Sequence, residues 1–263
     1  MNNNHLITGA GYLLDGTKLV FEPRFRHFVI VPVVVNVLIF LILTALMVAY
    51  FNPAVQAIIG LLPDWKWLQP LLKAMAVVIW LAAALVAVVV YGYSFSLITN
   101  ILAAPFYGLL AEKIEEHLTG QAPPPESIAT MIVRTMGREL VKLWYFVSRG
   151  LLVLIVAFIL GFIPLANFFV PVILALWAAW SMSIQYVDYP ADNYRLKFGL
   201  FRRAMGQGRY SAWGFGGLTL LGLMVPVLNI LVAPAAVAGG TLFWLQELTN
   251  QPEVEQFKAR LRR

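Results

Sequence analysis

The sequence predicts an all-α integral membrane protein, and three observations predict it. Of 263 residues, 60% are hydrophobic and only 12% charged, against about 25% charged in an ordinary soluble domain. Asp, Glu, Lys and Arg are absent from four long segments, 27–63, 74–111, 150–187 and 210–246. Proline and glycine then break the last two of these near their centres, which decides how they meet a bilayer. The excess of 19 Lys+Arg over 13 Asp+Glu would suit nucleic acid, but these charges sit only between apolar blocks and point to a membrane. With no cysteine, disulfides, thiolate catalysis and Cys-based metal sites are excluded.

The elements follow in order. Residues 1–27 carry Asp15, Lys18, Glu22, Arg24 and Arg26, so they hold no signal-peptide core. Leu6, Leu13, Leu14, Val20 and Phe21 set against Asp15 and Lys18 make 1–27 an interfacial segment. Residues 28–51 would measure about 36 Å as a helix, enough for a hydrocarbon layer about 30 Å thick. The 52–73 loop, punctuated by Pro53, Pro63, Asp64 and Pro70, is expected outside, since it holds only Lys66 and Lys73 of the 19 basic residues. A second, longer transmembrane helix is expected over 74–118. In 126–149, Arg134, Arg138, Lys142 and Arg149 fall near one helical face, a basic amphipathic helix suited to anionic headgroups.

The block 150–187 is interrupted by Gly161, Pro164, Asn167 and Pro171, and 210–246 by Gly222, Pro226, Asn229 and Pro234. Unbroken pieces such as 150–162 and 213–225 would be only about 20 Å long. Both blocks therefore read as partly membrane-penetrating helical hairpins, with four short complete spans as the rival reading. Unpaired backbone groups in lipid cost several kcal/mol each, so the hairpin turns are expected to be sheltered by protein or to line a wet cavity. The polar segment 188–209 and the charged tail 247–263 are expected in the cytoplasm with both termini. The whole chain, 1–263, reads as one membrane domain.

Catalytic motifs are scarce. Asp188 and Asp192, at i and i+4 in DYPAD, have the spacing of a metal-ligand pair, but Pro190 between them is expected to break the helix. The simpler reading is boundary capping and pairing with Arg195 or Lys197. His5 and His117 lie in polar segments and are expected to be solvated. Inside the apolar blocks the polar residues are neutral, and Asn36, Asn100, Asn167 and Asn229 each neighbour a proline or a predicted break. Neutral donors of that kind, with half-helix N-termini, suit an anion. At Pro23-Arg24-Phe25-Arg26-His27, two readings stay open: a positive-inside anchor, or an anion site at a helix start.

The motifs RFRHFVIVPVVVN (24–36), NILAAPFYGLLAE (100–112), EEHLTG (115–120), QYVDYPADN (185–193) and GGLTLLGLMVPVLNILVAP (216–234) resemble the CysZ-type sulfate permeases of bacteria, in order and over nearly the whole chain. The resemblance implies sulfate uptake across the bacterial inner membrane for cysteine synthesis. It also implies proton dependence and a homo-oligomer in the lipid bilayer, without a cofactor, a metal or nucleic acid. The family's sulfate site maps onto Arg24, Phe25, Arg26 and His27, with Arg24 in a glycine position and His27 in that of a second arginine. The expected route runs past Asn36, Asn100, Thr219 and Asn229, and Glu112 and Arg138 are expected to form a gating ion pair. Two other functions compete: a scaffold or accessory protein without transport of its own, and a membrane enzyme using Asp188 and Asp192.

Overall fold

The computed structural model describes residues 4–63 and 68–261, so residues 64–67 of the predicted external loop lie outside it. Among the described residues the chain is helical throughout, in the order α1 (Leu6–Val20), α2 (Arg26–Ile59), α3 (Gln69–Thr119), α4 (Ile128–Gly161), a 3-10 turn (Ala166–Phe169), α5 (Val170–Asn193), α6 (Phe198–Gln207), α7 (Arg209–Leu223), α8 (Pro226–Phe243), a π-helical turn (Trp244–Leu248) and α9 (Pro252–Leu261). Five helical stretches are long and apolar enough to cross a membrane: Arg26–Ile59, Gln69–Phe95, Ile128–Gly161, Ala166–Asn193 and Leu228–Leu248. This is an all-α membrane protein.

The chain forms two compact units, residues 32–102 and residues 1–31 with 103–263. In the first, α2 and the early part of α3 meet through rings. Phe40 lies edge-on to Tyr91 and Phe95, Phe51 to Trp80, and the Thr44 and Tyr91 hydroxyls are 2.9 Å apart. Most other side chains here, such as Leu41, Val78 and Leu85, are exposed and apolar, as lipid-facing residues must be. Proline does not stop these helices: α2 continues through Pro32 and Pro53, and α3 through Pro105. Pro53, read as a turn, is inside a helix, consistent with the tolerance of membrane helices for a lost backbone bond.

In the second unit α1, α5, α7 and α8 pack on one another, and the end of α3 (Ala103, Ala104, Leu110, Ala111, Ile114) joins the same core. Small residues let the backbones approach, as they do between membrane helices. A Cβ added at Gly216 on α7 would overlap the Ala179 carbonyl of α5, and one at Gly16 on α1 would overlap α8 at Ala235 and Gly239. Helix α1 does more than lie at an interface. Tyr12, Leu13 and Val20 are buried against the bundle, while Leu6, Ile7, Leu14 and Phe21 face outward.

Three expectations about the second half need correction. The basic stretch 126–149 and the first hairpin arm 150–162 are one helix, α4, capped by the Ser127 hydroxyl, which accepts from the Thr130 N–H at 3.2 Å. Charge changes at residue 149, but no residue there breaks a helix. Second, α5 runs through Pro190 to Asn193. Proline so near a helix end removes a single backbone bond, and the residues around it are buried in packed contacts.

Third, breaks fall beside Pro164 and Pro226, at 162–169 and 224–226, whereas α8 continues through Pro234, and the described chain does not cover either turn. Phe162, Leu165, Phe168 and Phe169 are exposed at the first, and Met224 and Leu228 at the second. The turns instead bond internally: Phe162 N–H to Ile159, Ile163 to Leu160, Asn167 to Ile163, Met224 to Leu220 and Val225 to Gly222. Satisfied donors do not require shelter. Leu165 adopts φ 70°, a conformation that costs a non-glycine residue about 1 kcal/mol or more. Leu165→Gly should therefore raise the thermal unfolding midpoint in detergent; a fall would show that the Leu165 side chain stabilises the turn by more than its backbone strain.

Candidate functional site

Between α1 and α2 the chain makes a short irregular turn, with Glu22 N–H bonded to Leu19, Phe25 to Glu22 and Phe28 to Phe25. Phe25 is pulled into the core, 2% exposed, with its ring edge-on to His117 of α3 at 6.0 Å. That anchor sets the flanking residues around a surface pocket of about 370 Å³, lined by Arg24, Phe25, His27, Phe28, Lys113, Glu116 and His117. The Arg24 guanidinium lies 3.0 Å from a Glu22 oxygen through Nε, and its Nη1 is 2.8 Å from His117 Nδ1. Lys113 pairs with Glu116 at 2.7 Å, a hydrogen bond that raises the lysine pKa. His27 stacks on Phe28 at 4.0 Å.

Four cationic or protonatable groups thus border one pocket, and its one lining carboxylate, Glu116, is engaged, as is Glu22 beside it. The Arg24–Glu22 and Lys113–Glu116 ion pairs, exposed as they are, hold about 0–1 kcal/mol each, so these two carboxylates would offer little resistance to an incoming anion. Guanidinium, ammonium and imidazolium donors bind oxyanions through charge-assisted hydrogen bonds. Arg26 stands apart from the other predicted site residues. It is exposed beside the pocket, its Nε donating to the Phe21 carbonyl at 3.4 Å.

A second, buried cluster joins α4 to α5. Arg138 grips both oxygens of Asp188, at 2.6–3.2 Å, and donates to the Leu196 carbonyl at 2.9 Å. Arg134 pairs with Asp192, and with Glu126 at 3.0 Å. Lys142, 1% exposed, lies 2.6 Å from Glu139 and 3.6 Å from Asp188, and 4.3 Å above the Tyr189 ring. Three cations therefore meet four carboxylates away from water. Asp188 and Asp192 do not pair with Arg195 or Lys197 as expected; Arg195 lies 3.8 Å from Glu126 instead. The basic face of α4 meets protein, not headgroups, at Arg134, Arg138 and Lys142, while Arg149 stays exposed. Sequence did carry a signal for this cluster: Arg134, Arg138 and Lys142 repeat every four residues, as do Asp188 and Asp192 on the antiparallel partner.

Comparison with known proteins places this architecture. Residues 12–234 match the family described as "Sulfate transporter CysZ/Etoposide-induced protein 2.4". The chain is similar to the sulfate transporter CysZ of Pseudomonas aeruginosa (strain LESB58), 38% identical over 92% of this chain and 96% of the relative. It is likewise similar to the proteins of that name from Pectobacterium atrosepticum, 36% identical over 94% of this chain and 88% of the relative, and Salmonella typhimurium, 37% over 90% and 92%. The chain belongs to the CysZ family. Its relatives are named as transporters, not enzymes.

Seen as a CysZ-family chain, its sequence motifs acquire structural roles. DYPAD supplies Asp188 and Asp192 to the α4 cations, and the following Asn193 donates to the Gly108 carbonyl of AAPFYGLLAE at 2.8 Å. The residues named for a translocation route lie in both units. In the first, Asn36 Oδ1 is buried without a hydrogen-bond partner, whereas the side chain of Asn100 lies outside the described residues. In the second, Thr219 is buried and spends its hydroxyl on the Phe215 carbonyl at 2.8 Å, and Asn229 is exposed in the first turn of α8. Glu112 borders a separate pocket with Arg134 and Asn193. Arg138, its expected gating partner, is committed to Asp188. His117, expected to be solvated, is exposed, with its Nδ1 2.8 Å from Arg24 Nη1. As for an enzyme built on Asp188 and Asp192, their oxygens face guanidinium groups, which fill the positions that a metal ion would need.

Proposed function

We propose that this chain is a sulfate permease of the bacterial inner membrane, supplying sulfate for cysteine synthesis, and that the pocket at Arg24, Phe25 and His27 binds the anion. The observation that carries the reading is family membership over residues 12–234 with relatives named sulfate transporters. The pocket's chemistry supports it. Sulfate stays doubly charged near neutral pH and needs donors, which Arg24, His27, Lys113 and, at the margin, Arg26 offer. In this reading both termini are cytoplasmic, transport depends on protons, and the protein works as a homo-oligomer whose Pro-broken hairpins partly penetrate the bilayer. Asn36, Asn100, Thr219 and Asn229 then lie along the anion's route.

The test is labelled sulfate flux into liposomes containing only the purified protein. Flux well above that of empty liposomes is expected, and equal flux rejects transport and favours an accessory role. The site has its own test. Loss of one charge-assisted bond should weaken sulfate affinity about tenfold in Arg24→Ala at about pH 6, with a smaller effect in Arg26→Ala. Unchanged affinity in both variants would remove the pocket from the route while leaving flux untouched.

A further inference from the structure

The contact between Arg24 and His117 constrains the protonation state of His117. A guanidinium only donates hydrogen bonds, so the 2.8 Å approach of Arg24 Nη1 to His117 Nδ1 requires a lone pair on Nδ1. The imidazole is then neutral, with its proton on Nε2. That nitrogen faces Glu22 Oε2 at 4.0 Å, and the same Glu22 oxygen lies 3.0 Å from Arg24 Nε. Three side chains thus close on one another, with a single carboxylate facing both the guanidinium and the imidazole.

Protonation undoes the closure. An imidazolium has no acceptor, so Nδ1 would present N–H and positive charge to a guanidinium now at van der Waals range. Arg24 must leave. The new cation also draws Glu22 toward Nε2, away from Arg24 Nε, so that one proton weakens both restraints on the guanidinium. The other charged groups facing His117 are His27 of α2 and Lys113 and Glu116 of α3, across the same pocket. Lys113 and Glu116 neutralise one another at 2.7 Å, which leaves His27 as the other protonatable group beside the Arg24–Glu22–His117 trio. The released Arg24 can turn only outward or into the pocket, because Phe25 next to it is fixed in the core.

We propose that His117 is a positioning residue for the anion pocket: neutral, it withholds Arg24, and protonated, it releases Arg24 to the anion. This rests on the sulfate reading of that pocket. Histidine changes charge between about pH 5 and pH 8, so the device works over the range in which sulfate itself does not titrate. It differs from simple attraction of the anion by a charged histidine, because it predicts that deleting the imidazole improves binding when the imidazole would be neutral.

The experiment measures binding of labelled sulfate to the purified full-length protein at about pH 8 and about pH 5.5. Wild type should bind about five- to tenfold more tightly at the lower pH, the value of one regained charged hydrogen bond. His117→Ala, with nothing to hold Arg24 but an exposed pair, should bind several-fold more tightly than wild type at about pH 8 and respond little to pH. His117→Asn keeps an acceptor near the Nδ1 position that cannot be protonated, and should stay at the weaker value at both pH values. His27→Asn, which removes a pocket donor, should weaken binding at both pH values and still bind more tightly at the lower one, and Arg24→Ala should lose that pH response. His117→Ala binding no better than wild type at about pH 8, or a pH response that disappears with His27 instead, overturns the proposal and leaves the sulfate pocket standing. No sulfate binding by wild type at either pH overturns the pocket reading and this inference together.

Discussion

Asp188→Asn should yield a protein that unfolds far more readily than wild type. Asp188 is fully buried and holds two cations at once, Arg138 through a two-pronged contact and Lys142 at 3.6 Å. Removing its charge leaves a guanidinium, itself only 10% exposed, without a carboxylate in a region from which water is excluded. Breaking a buried pair from one side costs about 3–5 kcal/mol, because the remaining charge has lost its solvent and its partner. Lys142 keeps Glu139 at 2.6 Å, so the loss falls mainly on Arg138. The readout is thermal unfolding in detergent followed by size-exclusion chromatography. The companion variant Asp188→Leu with Arg138→Leu removes both charges and should recover most of the loss, since replacing a whole buried pair by apolar groups is often neutral. If Asp188→Asn alone matched wild type, the α4–α5 charges would not be clasping these helices.

A comparably large effect is expected at the α5–α7 crossing, and its neighbour provides the control. In Gly216→Ala the new methyl would overlap the Ala179 carbonyl oxygen and come within 2.5 Å of the Ser183 hydroxyl. Neither can retreat freely: the first is helix backbone, and the Ser183 hydroxyl is bonded to the Ala212 carbonyl. The helices must separate, and overpacking of this sort costs about 1–3 kcal/mol. At Gly217 the same methyl would meet only the Ala179 Cβ, at 3.9 Å. Gly217→Ala should therefore be neutral or stabilising by up to about 1 kcal/mol, from helix propensity alone. Equal unfolding midpoints for the two variants would mean that the helices do not approach at Gly216 as described.

The surface pocket and the charge clasp differ in how firmly their salt bridges are held. Arg24 with Glu22 is exposed and weakly held, which suits the exchange of partners proposed for it. Arg138 with Asp188 is buried and bidentate, which suits a permanent fastening. Arg138 was assigned from sequence to a gate with Glu112, and the structure gives it to Asp188.

Composition and proline together made the membrane class and the sites of the helix breaks legible. Long uncharged segments have no stable alternative to lipid, and Pro164 and Pro226 remove backbone bonds whatever surrounds them. The start of α2 was legible too, since Arg24 to His27 stand at the edge of an apolar run. What sequence left unread depends on distant partners. The join of 126–149 to 150–161 is not legible in sequence because a change of charge looks like a boundary, although helix continuity is decided by backbone bonding. Asp188 and Arg138 are 50 residues apart, and only the packing of α4 on α5 turns a basic stripe and a DYPAD motif into mutual partners. The Arg24–His117 contact spans 93 residues. Local chemistry thus determined which segments enter lipid and where they bend. Tertiary packing decided which charges neutralise one another and which stay exposed at a surface pocket, because electrostatic energy depends on distance and burial, and linear sequence records neither.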